Sequence, residues 1–385
     1  MSKRGVAVLG VFVVDLAFRA GNMPAIGETI AGSGFAMGPG GKGSNQAVAA
    51  ARAGASVSFI SRIGSDAFGE LAVKTWEAEG IRPRVARTAD APTGAAFIYV
   101  HETRGDNAII VVPGAAGGIS PADVDAVADA IRDASVFVTQ LEQPVDAAFR
   151  GLEIARAAGS ITVFNPAPAI KFDDSLFALC DYVVPNETEA EGLTGIAVSD
   201  LAGARRAGDA LLAKGAGTAL ITLGERGALF HARDRSLHVP PFAAGKVVET
   251  TGAGDAFVGG FAAALADGVD PLEAARFGSA TAGISVTRPG TAPAMPRRAE
   301  IDLVFIDRRA AGPHLLDQRK QRAAERHQLL QRLPAQELGR DLEEGFGGDI
   351  GVDDPAVGCD QQHRIGQRVE DGLAIGRHGP AKFHG

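Results

Sequence analysis

Short apolar runs rich in β-branched and aromatic residues alternate along most of this chain with amphipathic stretches of helical spacing. This alternation is typical of strands that are joined by helices and therefore pair in parallel. Continuous apolar runs indicate strands that are covered on both faces. We therefore predict an α/β fold with a central, mostly parallel sheet flanked by helices. The predicted strands are Val6–Leu9, Ser56–Ile60, Val136–Thr139, Thr162–Phe164, Tyr182–Val184 and Ala219–Leu223.

Two segments depart from this pattern, at about residues 11–38 and 94–113. In both, polar and apolar residues alternate around Gly, Asp and Asn with little helical spacing, which favours antiparallel strands. The tetrapeptide at residues 104–107, Arg-Gly-Asp-Asn, predicts a hairpin turn within the second segment. We expect the two segments to form a small antiparallel β lid beside the main sheet.

The end of the chain, residues 306–385, has a different character. It is rich in Arg, Gln, Asp and Gly and contains no run typical of a buried strand. Its histidines lack the short, fixed spacing of a zinc site. We predict one globular domain over residues 1–305, followed by a disordered or weakly structured tail.

Composition excludes several classes of function. The chain has 38 Lys+Arg against 46 Asp+Glu and a net charge of −8, so it lacks the basic surface that nucleic acids require. No apolar stretch reaches the roughly 20 residues of a membrane span. The two cysteines, Cys180 and Cys359, provide no disulfide framework, and we expect a cytoplasmic protein.

The first glycine cluster, GPGGKGSNQA, occupies residues 38–47 and precedes an Ala-rich helical run. It contains a formal GxGxxG pattern, but the dinucleotide fingerprint follows the first strand of a βαβ unit, and this cluster follows the lid segment. A Walker A loop fails because Gly43 stands where Ser or Thr must bind magnesium. The cluster predicts either a structural turn or a loop whose amides and Asn45 face a ligand at a helix N-terminus.

The second glycine cluster, ETTGAGDAF at residues 249–257, runs directly into an apolar helix. Gly252, Ala253 and Gly254 can direct successive N–H groups at one point, which predicts an anion hole reinforced by the helix dipole. Asp255 is either a helix N-cap or a base that takes a proton from a hydroxyl beside a transferring phosphoryl group. The small residues before Asp255 favour the base, because a cap needs no open approach.

Two further polar motifs follow predicted strands, at the edge where α/β sheets bind ligands. Asn186 and Glu189 can face one water or magnesium ion, but the same pair is typical of a helix capping box. Thr222, Gly224 and Gly227 allow close approach of a nucleotide, or they form a hairpin turn. Each motif by itself leaves its two interpretations open.

The four motifs, in this order, resemble the ribokinase-like (PfkB) family of carbohydrate kinases over about residues 4–305. The segment at residues 40–47, GGKGSNQA, is similar to the first family signature, and TGAGDAF at residues 251–257 is similar to the second. The resemblance implies a ribokinase-like fold. Three shorter segments are also similar to the family: QLE at residues 140–142, NPAP at 165–168 and PNETE at 185–189.

The resemblance also implies roles for individual residues. It makes Asp255 the general base for a primary hydroxyl that attacks the γ-phosphate of ATP, with Gly252, Ala253 and Gly254 as the anion hole. Magnesium is implied at Asn186 and Glu189, through water. The implied sugar contacts are Asp15, Gly41, Lys42, Asn45 and Glu142. The implied nucleotide contacts are Asn186, Thr222, Gly224 and Gly227.

The sequence departs from the family pattern at a site for an activating monovalent cation. Glu249 stands where Asp is common, and Ala294 stands near a position that is commonly a small hydroxyl residue. We therefore expect potassium activation to be weak or altered. The carbonyl groups that the resemblance still offers to such an ion are those of Thr251, Ser285, Arg288 and Gly290.

The resemblance implies ATP- and Mg²⁺-dependent phosphorylation of D-ribose at its primary (5-) hydroxyl, giving ribose 5-phosphate and ADP. The alternatives are the same chemistry on deoxyribose, another sugar or a nucleoside. A nicotinamide-dependent oxidoreductase has only the misplaced GxGxxG in its favour, and a non-catalytic sugar-binding regulator does not need Asp255. We expect no nucleic-acid or membrane partner, and a homodimer that pairs through the lids.

Overall fold

A computed structural model of the protein describes residues 5–104 and 106–309, with side chains up to residue 305. Residues 306–309 of the predicted tail belong to the last helix, and the rest of the tail, with its histidines and Cys359, lies outside the described residues. In chain order the strands and helices are β1 (Val6–Leu9), β2 (Val13–Ala20), β3 (Gly34–Gly40), α1 (Lys42–Arg52), β4 (Val57–Gly64), α2 (Ala67–Ala78), β5 (Arg82–Thr88), β6 (Thr93–His101), β7 (Asn107–Gly114), α3 (Pro121–Ala126), α4 (Ala128–Arg132), β8 (Val136–Thr139), α5 (Val145–Ala157), β9 (Ile161–Phe164), β10 (Tyr182–Val183), α6 (Glu187–Thr194), α7 (Leu201–Ala213), β11 (Thr218–Thr222), β12 (Ala228–Ala232), β13 (Ser236–Val239), α8 (Ala253–Ala266), α9 (Pro271–Ser285) and α10 (Arg298–Arg309).

The larger sheet has the strand order β13-β12-β11-β10-β9-β8-β1-β4-β5. Every pair from β11 to β5 is parallel, while β12 and β13 add an antiparallel edge. The predicted central, mostly parallel sheet is therefore confirmed, and all six predicted strands lie in it. The sequence pattern missed β5, β12 and β13, which are the edge strands and the neighbour of one. The edge strands β5 and β13 contain polar residues, such as Arg82 and Arg84 in β5, so no continuous apolar run marks them. The neighbour β12 is buried but short, and His231 interrupts its apolar run.

Helices cover both faces of this sheet, and the side chains of its interior strand β1 divide between two cores. Val6 and Val8 pack with helices α1, α8 and α9, whereas Ala7 and Leu9 pack with α5 and α7. Alternate strand residues point to opposite faces, which is why a continuous apolar run is needed here. The carboxyl ends of the parallel strands remain uncovered by these helices and provide the edge at which a site can form.

The smaller sheet has the order β3-β2-β6-β7 and matches the predicted lid segments closely. Its outer pairs, β2–β3 and β6–β7, are antiparallel, as predicted, and the β6–β7 pair forms the expected hairpin. Its central pair, β2–β6, is parallel. The reason is topological: β2 continues from β1 and β6 continues from β5, and these two strands already run in the same direction in the larger sheet.

Across residues 5–104 and 106–309, the helices are all too short or too polar to cross a membrane. Cys180, the described cysteine, is buried beneath the larger sheet, where burial raises the pKa of its thiol. The thiol Sγ contacts the carbonyl of Leu176 at 3.2 Å, which fits a packing role.

Candidate active site

Residues from five parts of the chain line one cavity at the carboxyl edge of the larger sheet. It lies where β9, β10 and β11 end and where helices α1 and α8 begin. The motifs predicted from sequence therefore meet in space. The lining residues are Lys42, Asn165, Ala167, Val184, Asn186, Glu189, Thr222, Gly252, Gly254, Asp255 and Val258.

Asp255 lies in the first turn of α8 but does not cap that helix. The helix begins at Ala253, and its N-cap is Gly252, with a φ of 80° and no side-chain cap bond. The Asp255 carboxylate, in a residue only 7% exposed, instead accepts hydrogen bonds from two amides of helix α1. Asn45 Nδ2 donates to Oδ2 at 3.1 Å, and Gln46 Nε2 donates to Oδ1 at 3.0 Å. The N-cap interpretation of Asp255 is therefore wrong.

Burial and these donors have opposite effects on the pKa of Asp255. Burial raises the pKa of Asp255, while Lys42 and the amide groups of Asn45 and Gln46 act in the opposite direction. The donors favour the ionised carboxylate, while burial increases its affinity for a proton. That combination is what a general base needs.

Gly41 turns the chain from β3 directly into helix α1. Its φ is 89°, and a side chain here would lie about 2.4 Å from the carbonyl oxygen of Val11. The predicted loop is thus reduced to one residue, and Asn45 belongs to the first turn of α1. The N–H of Lys42, which begins the helix, donates to Glu142 Oε2 at 2.8 Å. Predicted sugar contacts from distant parts of the sequence are therefore in direct contact.

The cavity and its surroundings contain more acids than bases. Burial raises the pKa of Asp15 to about 6, and the charge of Asp255 adds to the effect. Burial also raises the pKa of Glu142 to about 7, although Lys42 opposes it. Burial tends to lower the pKa of Lys42, but Asp255, Glu142 and Glu189 outweigh it and keep the ammonium charged. Such a site favours a ligand that donates hydroxyl groups or brings a cation.

Asp15 reaches this site from the lid strand β2. Its carboxylate lies against Gly40, where an added Cβ would come within about 2.2 Å of Oδ1. Thr291 Oγ1 is 3.5 Å from Asp15 Oδ2 and 3.2 Å from the carbonyl oxygen of Pro39. The lid and the segment after α9 therefore meet at Asp15.

The three glycine-cluster residues before Asp255 differ in what their N–H groups can do. Gly252 and Gly254 line the cavity, as the anion-hole prediction requires. The N–H of Ala253 donates to the carbonyl of Thr250 at 3.2 Å. Ala253 is therefore a weaker candidate for binding an anion than its two neighbours.

Asn186 and Glu189 form the capping box that the sequence left open. Asn186 Oδ1 accepts from the Glu189 N–H at 2.8 Å, and Glu189 Oε2 accepts from the Asn186 N–H at 2.9 Å. Both residues also line the cavity, and burial raises the pKa of Glu189. The capping role does not use the second carboxylate oxygen of Glu189, so it does not exclude metal binding through water.

The segment with Thr222, Gly224 and Gly227 is a hairpin turn between β11 and β12. Thr222 lines the cavity. Gly227 has a φ of 88°, and a side chain there would meet the carbonyl oxygen of Val239 at about 2.2 Å. Packing alone therefore requires Gly227, and its contact with a nucleotide stays a prediction, as does that of Gly224.

The predicted cation site brings together the segments around Glu249 and Gly290. Glu249 Oε2 accepts from the Gly290 N–H at 2.8 Å, and the Ser285 carbonyl accepts from the Arg288 N–H at 3.1 Å. Thr251 follows in the same segment as Glu249. Among the described residues, no cluster of three or more His, Cys, Asp or Glu could hold a metal by itself. Any ion bound here would need carbonyl, water or phosphate oxygens.

The sequence interpretation gave no role to Gln46, Gln140, Asn165 or Thr291. The three amides form a buried network beneath Asp255, with Gln140 donating to Gln46 at 2.6 Å and Gln46 donating to Asn165 at 3.0 Å. The available signal was the position of Gln140 and Asn165, which directly follow strands β8 and β9. Polar residues at that edge are candidates for a site, and these two also lie in the family-like segments QLE and NPAP.

Residues 3–298 match the pfkB family of carbohydrate kinases. The chain belongs to this family. It is 37% identical to a deoxyribokinase of Salmonella typhi over 293 residues, which are 76% of this chain and 95% of the relative. It is 38% identical to a ribokinase of Haemophilus influenzae over 306 residues, 79% of this chain and 99% of the relative. The protein is therefore a sugar kinase.

The fold of this sugar kinase is ribokinase-like. A structure of Arabidopsis thaliana ribokinase complexed with ribose and ATP superposes with a TM-score of 0.72 and 27% identity, and covers 79% of this chain and 99% of that one. The predicted family and fold class are thus confirmed, and the oxidoreductase and the non-catalytic regulator are excluded as descriptions of the chain.

Proposed function

We propose that this sugar kinase transfers the γ-phosphoryl group of ATP to the 5-hydroxyl of D-ribose, giving ribose 5-phosphate and ADP. The observation that carries the proposal is the placement of Asp255. Its carboxylate is buried, held by two amide donors and exposed to the same cavity as Lys42 and the start of α8. A base beside an anion-binding helix N-terminus suits phosphoryl transfer to a hydroxyl.

In the proposed reaction, Asp255 accepts the proton of the primary hydroxyl as its oxygen bonds to the γ-phosphorus. The bond to the β–γ bridging oxygen breaks, and ADP leaves with that electron pair. The N–H groups of Gly252 and Gly254, with the positive end of the α8 dipole, stabilise charge on the transferring group. Lys42 adds a positive charge at the same cavity. Positioning and charge stabilisation would supply most of the rate enhancement.

The sugar is proposed to lie between the lid and helix α1. Asn45 Oδ1 is buried and has no hydrogen-bond partner within the described residues, although Asn45 Nδ2 is engaged by Asp255. A buried acceptor without a donor is unfavourable, so a ligand hydroxyl would stabilise it. Asp15 and Glu142 offer further acceptors, and Gly41 has no side chain to keep the sugar away from the main chain. These groups match a polyhydroxylated ligand.

Magnesium is proposed as the cofactor, with ATP as its partner. Asn186 and Glu189 present oxygen-bearing side chains to this cavity, and Mg²⁺ prefers oxygen ligands. Because the described residues form no closed metal cluster, the fit is to an ion that keeps waters and binds phosphate oxygens. Asn186 and Glu189 would hold it through water, and the ion would neutralise phosphate charge.

The acceptor sugar is tested by measuring ADP release with a panel of ribose, 2-deoxyribose, other pentoses, hexoses and nucleosides. The relatives include both a ribokinase and a deoxyribokinase at nearly equal identity, so overall similarity does not decide between them. We expect the highest kcat/KM with D-ribose and ATP. A higher kcat/KM with 2-deoxyribose or a nucleoside would show that this compound, and not ribose, is the preferred substrate. The absence of ADP release with every acceptor would contradict the proposal as a whole.

Potassium activation is proposed to be weak, because Glu249 is one methylene longer than Asp and its carboxylate already binds the Gly290 N–H. Cation selectivity depends on cavity size and ligand reach. We expect Glu249→Asp to increase the rate in potassium relative to the rate in sodium. The test compares the rate of ADP release in the presence of potassium, sodium and a bulky organic cation. Strong potassium activation of the unmodified protein would contradict the proposal.

A homodimer is proposed to form through one face of the lid. Phe18, Phe35 and Phe97 pack on this face, with ring centroids 5.0 and 5.6 Å from that of Phe18. In-register neighbours place Ile110 on the same face, and Asp15 on the opposite one. Phe18 remains 42% exposed and Ile110 61%. A second copy would cover this apolar face while leaving the Asp15 face toward the sugar.

Phe18→Glu should convert this dimer into a monomer, because it places a charge at the centre of the apolar face. Analytical ultracentrifugation of the full chain at several concentrations measures the change. The matched control is Leu237→Glu, an exposed leucine on the edge strand β13 of the other sheet. A monomeric unmodified protein, or a Phe18→Glu protein of dimer mass, would contradict this interface.

A further inference from the structure

Four buried polar side chains from four parts of the fold form one hydrogen-bonded chain that ends on Asp255. Gln140 follows β8, Gln46 lies in α1 and Asn165 follows β9. Gln140 Nε2 donates to Gln46 Oε1 at 2.6 Å, and Gln46 Nε2 donates both to Asn165 Oδ1 and to Asp255 Oδ1 at 3.0 Å. All four residues are buried. We refer to Gln140, Gln46 and Asn165 as the amide chain.

A main-chain carbonyl fixes the direction of the amide chain. Asn165 Nδ2 donates to the carbonyl oxygen of Val184 at 2.7 Å, and a carbonyl can only accept. Asn165 must therefore present its own oxygen to Gln46, and Gln46 must present its NH₂ group. The oxygen of Gln46 then accepts from Gln140. With this orientation, the Gln46 NH₂ group also points at Asp255, so the base receives a donor and never an opposing amide oxygen.

The two oxygens of Asp255 are consequently held by separate donors, Gln46 on Oδ1 and Asn45 on Oδ2. This arrangement opposes rotation of the carboxylate about its Cβ–Cγ bond. It also satisfies only one lone pair on each oxygen, which leaves an acceptor position for a substrate hydroxyl. Neither Asn45 nor Gln46 is among the residues that line the cavity. Asn45 is already assigned to the sugar, whereas Gln46 has no assigned ligand contact.

We propose that Gln46 is a positioning residue for the reaction, which holds Asp255 ionised and in its reactive orientation. Gln140 and Asn165 fix the direction in which Gln46 donates. The inference rests on the proposed function of Asp255 as the base. It is distinct from a purely structural role, in which the amide chain would only join α1 to the sheet and would not affect proton transfer.

The electrostatic surroundings explain why such a donor is needed. Burial raises the pKa of Asp255, and the acids Asp15, Glu142 and Glu189 lie near enough for its charge to raise their pKa values in turn. The charge of Lys42 opposes the raised pKa values of Asp255, Glu142 and Glu189. A hydrogen bond from Gln46 favours the charged form of Asp255 directly, and hydrogen bonds to charged groups are stronger than those between neutral groups.

The decisive variant is Gln46→Met, which keeps the length of the side chain and removes its donor. We expect kcat with ribose to fall about tenfold or more near neutral pH. We expect the acid limb of the kcat–pH profile to move to higher pH by about one unit, while KM for ribose changes by less than about threefold. A structural role would leave the acid limb in place.

The matched control is Gln143→Met, which also replaces a buried glutamine near the end of β8. Gln143 donates to Thr139 Oγ1 and to the main-chain carbonyl of Gln140, and makes no hydrogen bond to Asp255. We expect this variant to share any loss of melting temperature that follows from burying Met, and to keep the acid limb of the unmodified protein.

A second pair of variants tests the direction of the amide chain without altering Gln46. Gln140→Met removes the donor to Gln46 Oε1, and we expect a smaller loss of kcat than with Gln46→Met. Gln140→Glu places an acceptor against Gln46 Oε1 and favours the reversed amide, which would turn an oxygen toward Asp255. We therefore expect the larger loss with Gln140→Glu. These variants also test the role of Gln46 if the Gln46→Met protein does not fold.

The titration of Asp255 can be measured independently of turnover. Carboxyl-carbon NMR of aspartate-labelled protein follows it, with Asp255→Asn identifying the signal. We expect the pKa of Asp255 to be higher in Gln46→Met than in the unmodified protein. Unchanged titration in Gln46→Met, or an unchanged acid limb and kcat in both Gln46→Met and Gln140→Glu, would overturn the inference. Failure of the unmodified protein to release ADP would instead contradict the proposed function, and the titration would still decide the role of Gln46.

Discussion

Asp255→Asn should reduce kcat by roughly two to four orders of magnitude, which is the usual contribution of a positioned proton acceptor. The replacement has the same shape as Asp255 and still lies beside Asn45 and Gln46, but its amide cannot accept the hydroxyl proton. Because the sugar contacts at Asp15 and Asn45 are unchanged, ribose binding should weaken much less than turnover. ADP release at saturating ribose and ATP, with calorimetry of ribose binding, separates the two effects.

The control for this experiment is Asp267→Asn, at the other end of helix α8. Asp267 is the C-cap residue of that helix and pairs with Arg298 at the surface. Its replacement should leave kcat within about twofold, since exposed ion pairs contribute little. Near-normal turnover of Asp255→Asn would show that Asp255 has no role as a base.

Asp15→Ala should weaken ribose binding by roughly ten- to a hundredfold, with little change in the affinity for ATP. The reason is that Asp15 projects from the lid toward Gly40 and Thr291, whereas the cavity of the proposed nucleotide contacts is lined by other residues. Separate calorimetric titrations with ribose and with ATP measure the two affinities. Equal losses for both ligands would place Asp15 outside the sugar site.

The pH dependence of ribose binding provides a second test of Asp15. Its pKa is raised to about 6, so lowering the pH through that value protonates the carboxyl group and removes an acceptor for sugar hydroxyls. Glu142, with a pKa raised to about 7, acts in the same direction. We expect ribose affinity to fall as the pH decreases from about 8 to below 6. The fall should be smaller in Asp15→Asn, and Asp106→Ala at the exposed lid hairpin serves as the unaffected control.

The central sheet was predictable because burial on both faces leaves a local record in the sequence. The strand Val136–Thr139 is buried at every position and apolar at its first three, and its bounds were predicted without error. The lid segments were predictable for the complementary reason, since a strand with one covered face and one open face alternates in polarity. The hairpin between β6 and β7 also follows from local turn chemistry.

Local sequence could not decide between two roles when both use the same residue types. Asp255 suits a cap as well as a base, and the choice depends on helix α8 beginning at Ala253 and on donors located more than 200 residues away. For Asn186 and Glu189 the structure does not choose between the two roles, because the residues form the capping box and also line the cavity.

The sequence alone thus determined the six inner parallel strands from β1 to β11, the lid segments, the family signatures and most of the polar groups that reach the site. Each of these leaves a pattern within a short stretch of chain. The tertiary structure alone decided which groups touch. The parallel pairing of β2 with β6, the contact of Asp15 with Thr291 and the chain from Gln140 through Gln46 to Asp255 all join segments that are far apart in sequence. Such contacts arise only when the sheet order brings strand ends and helix starts to one edge, and no single segment contains that information.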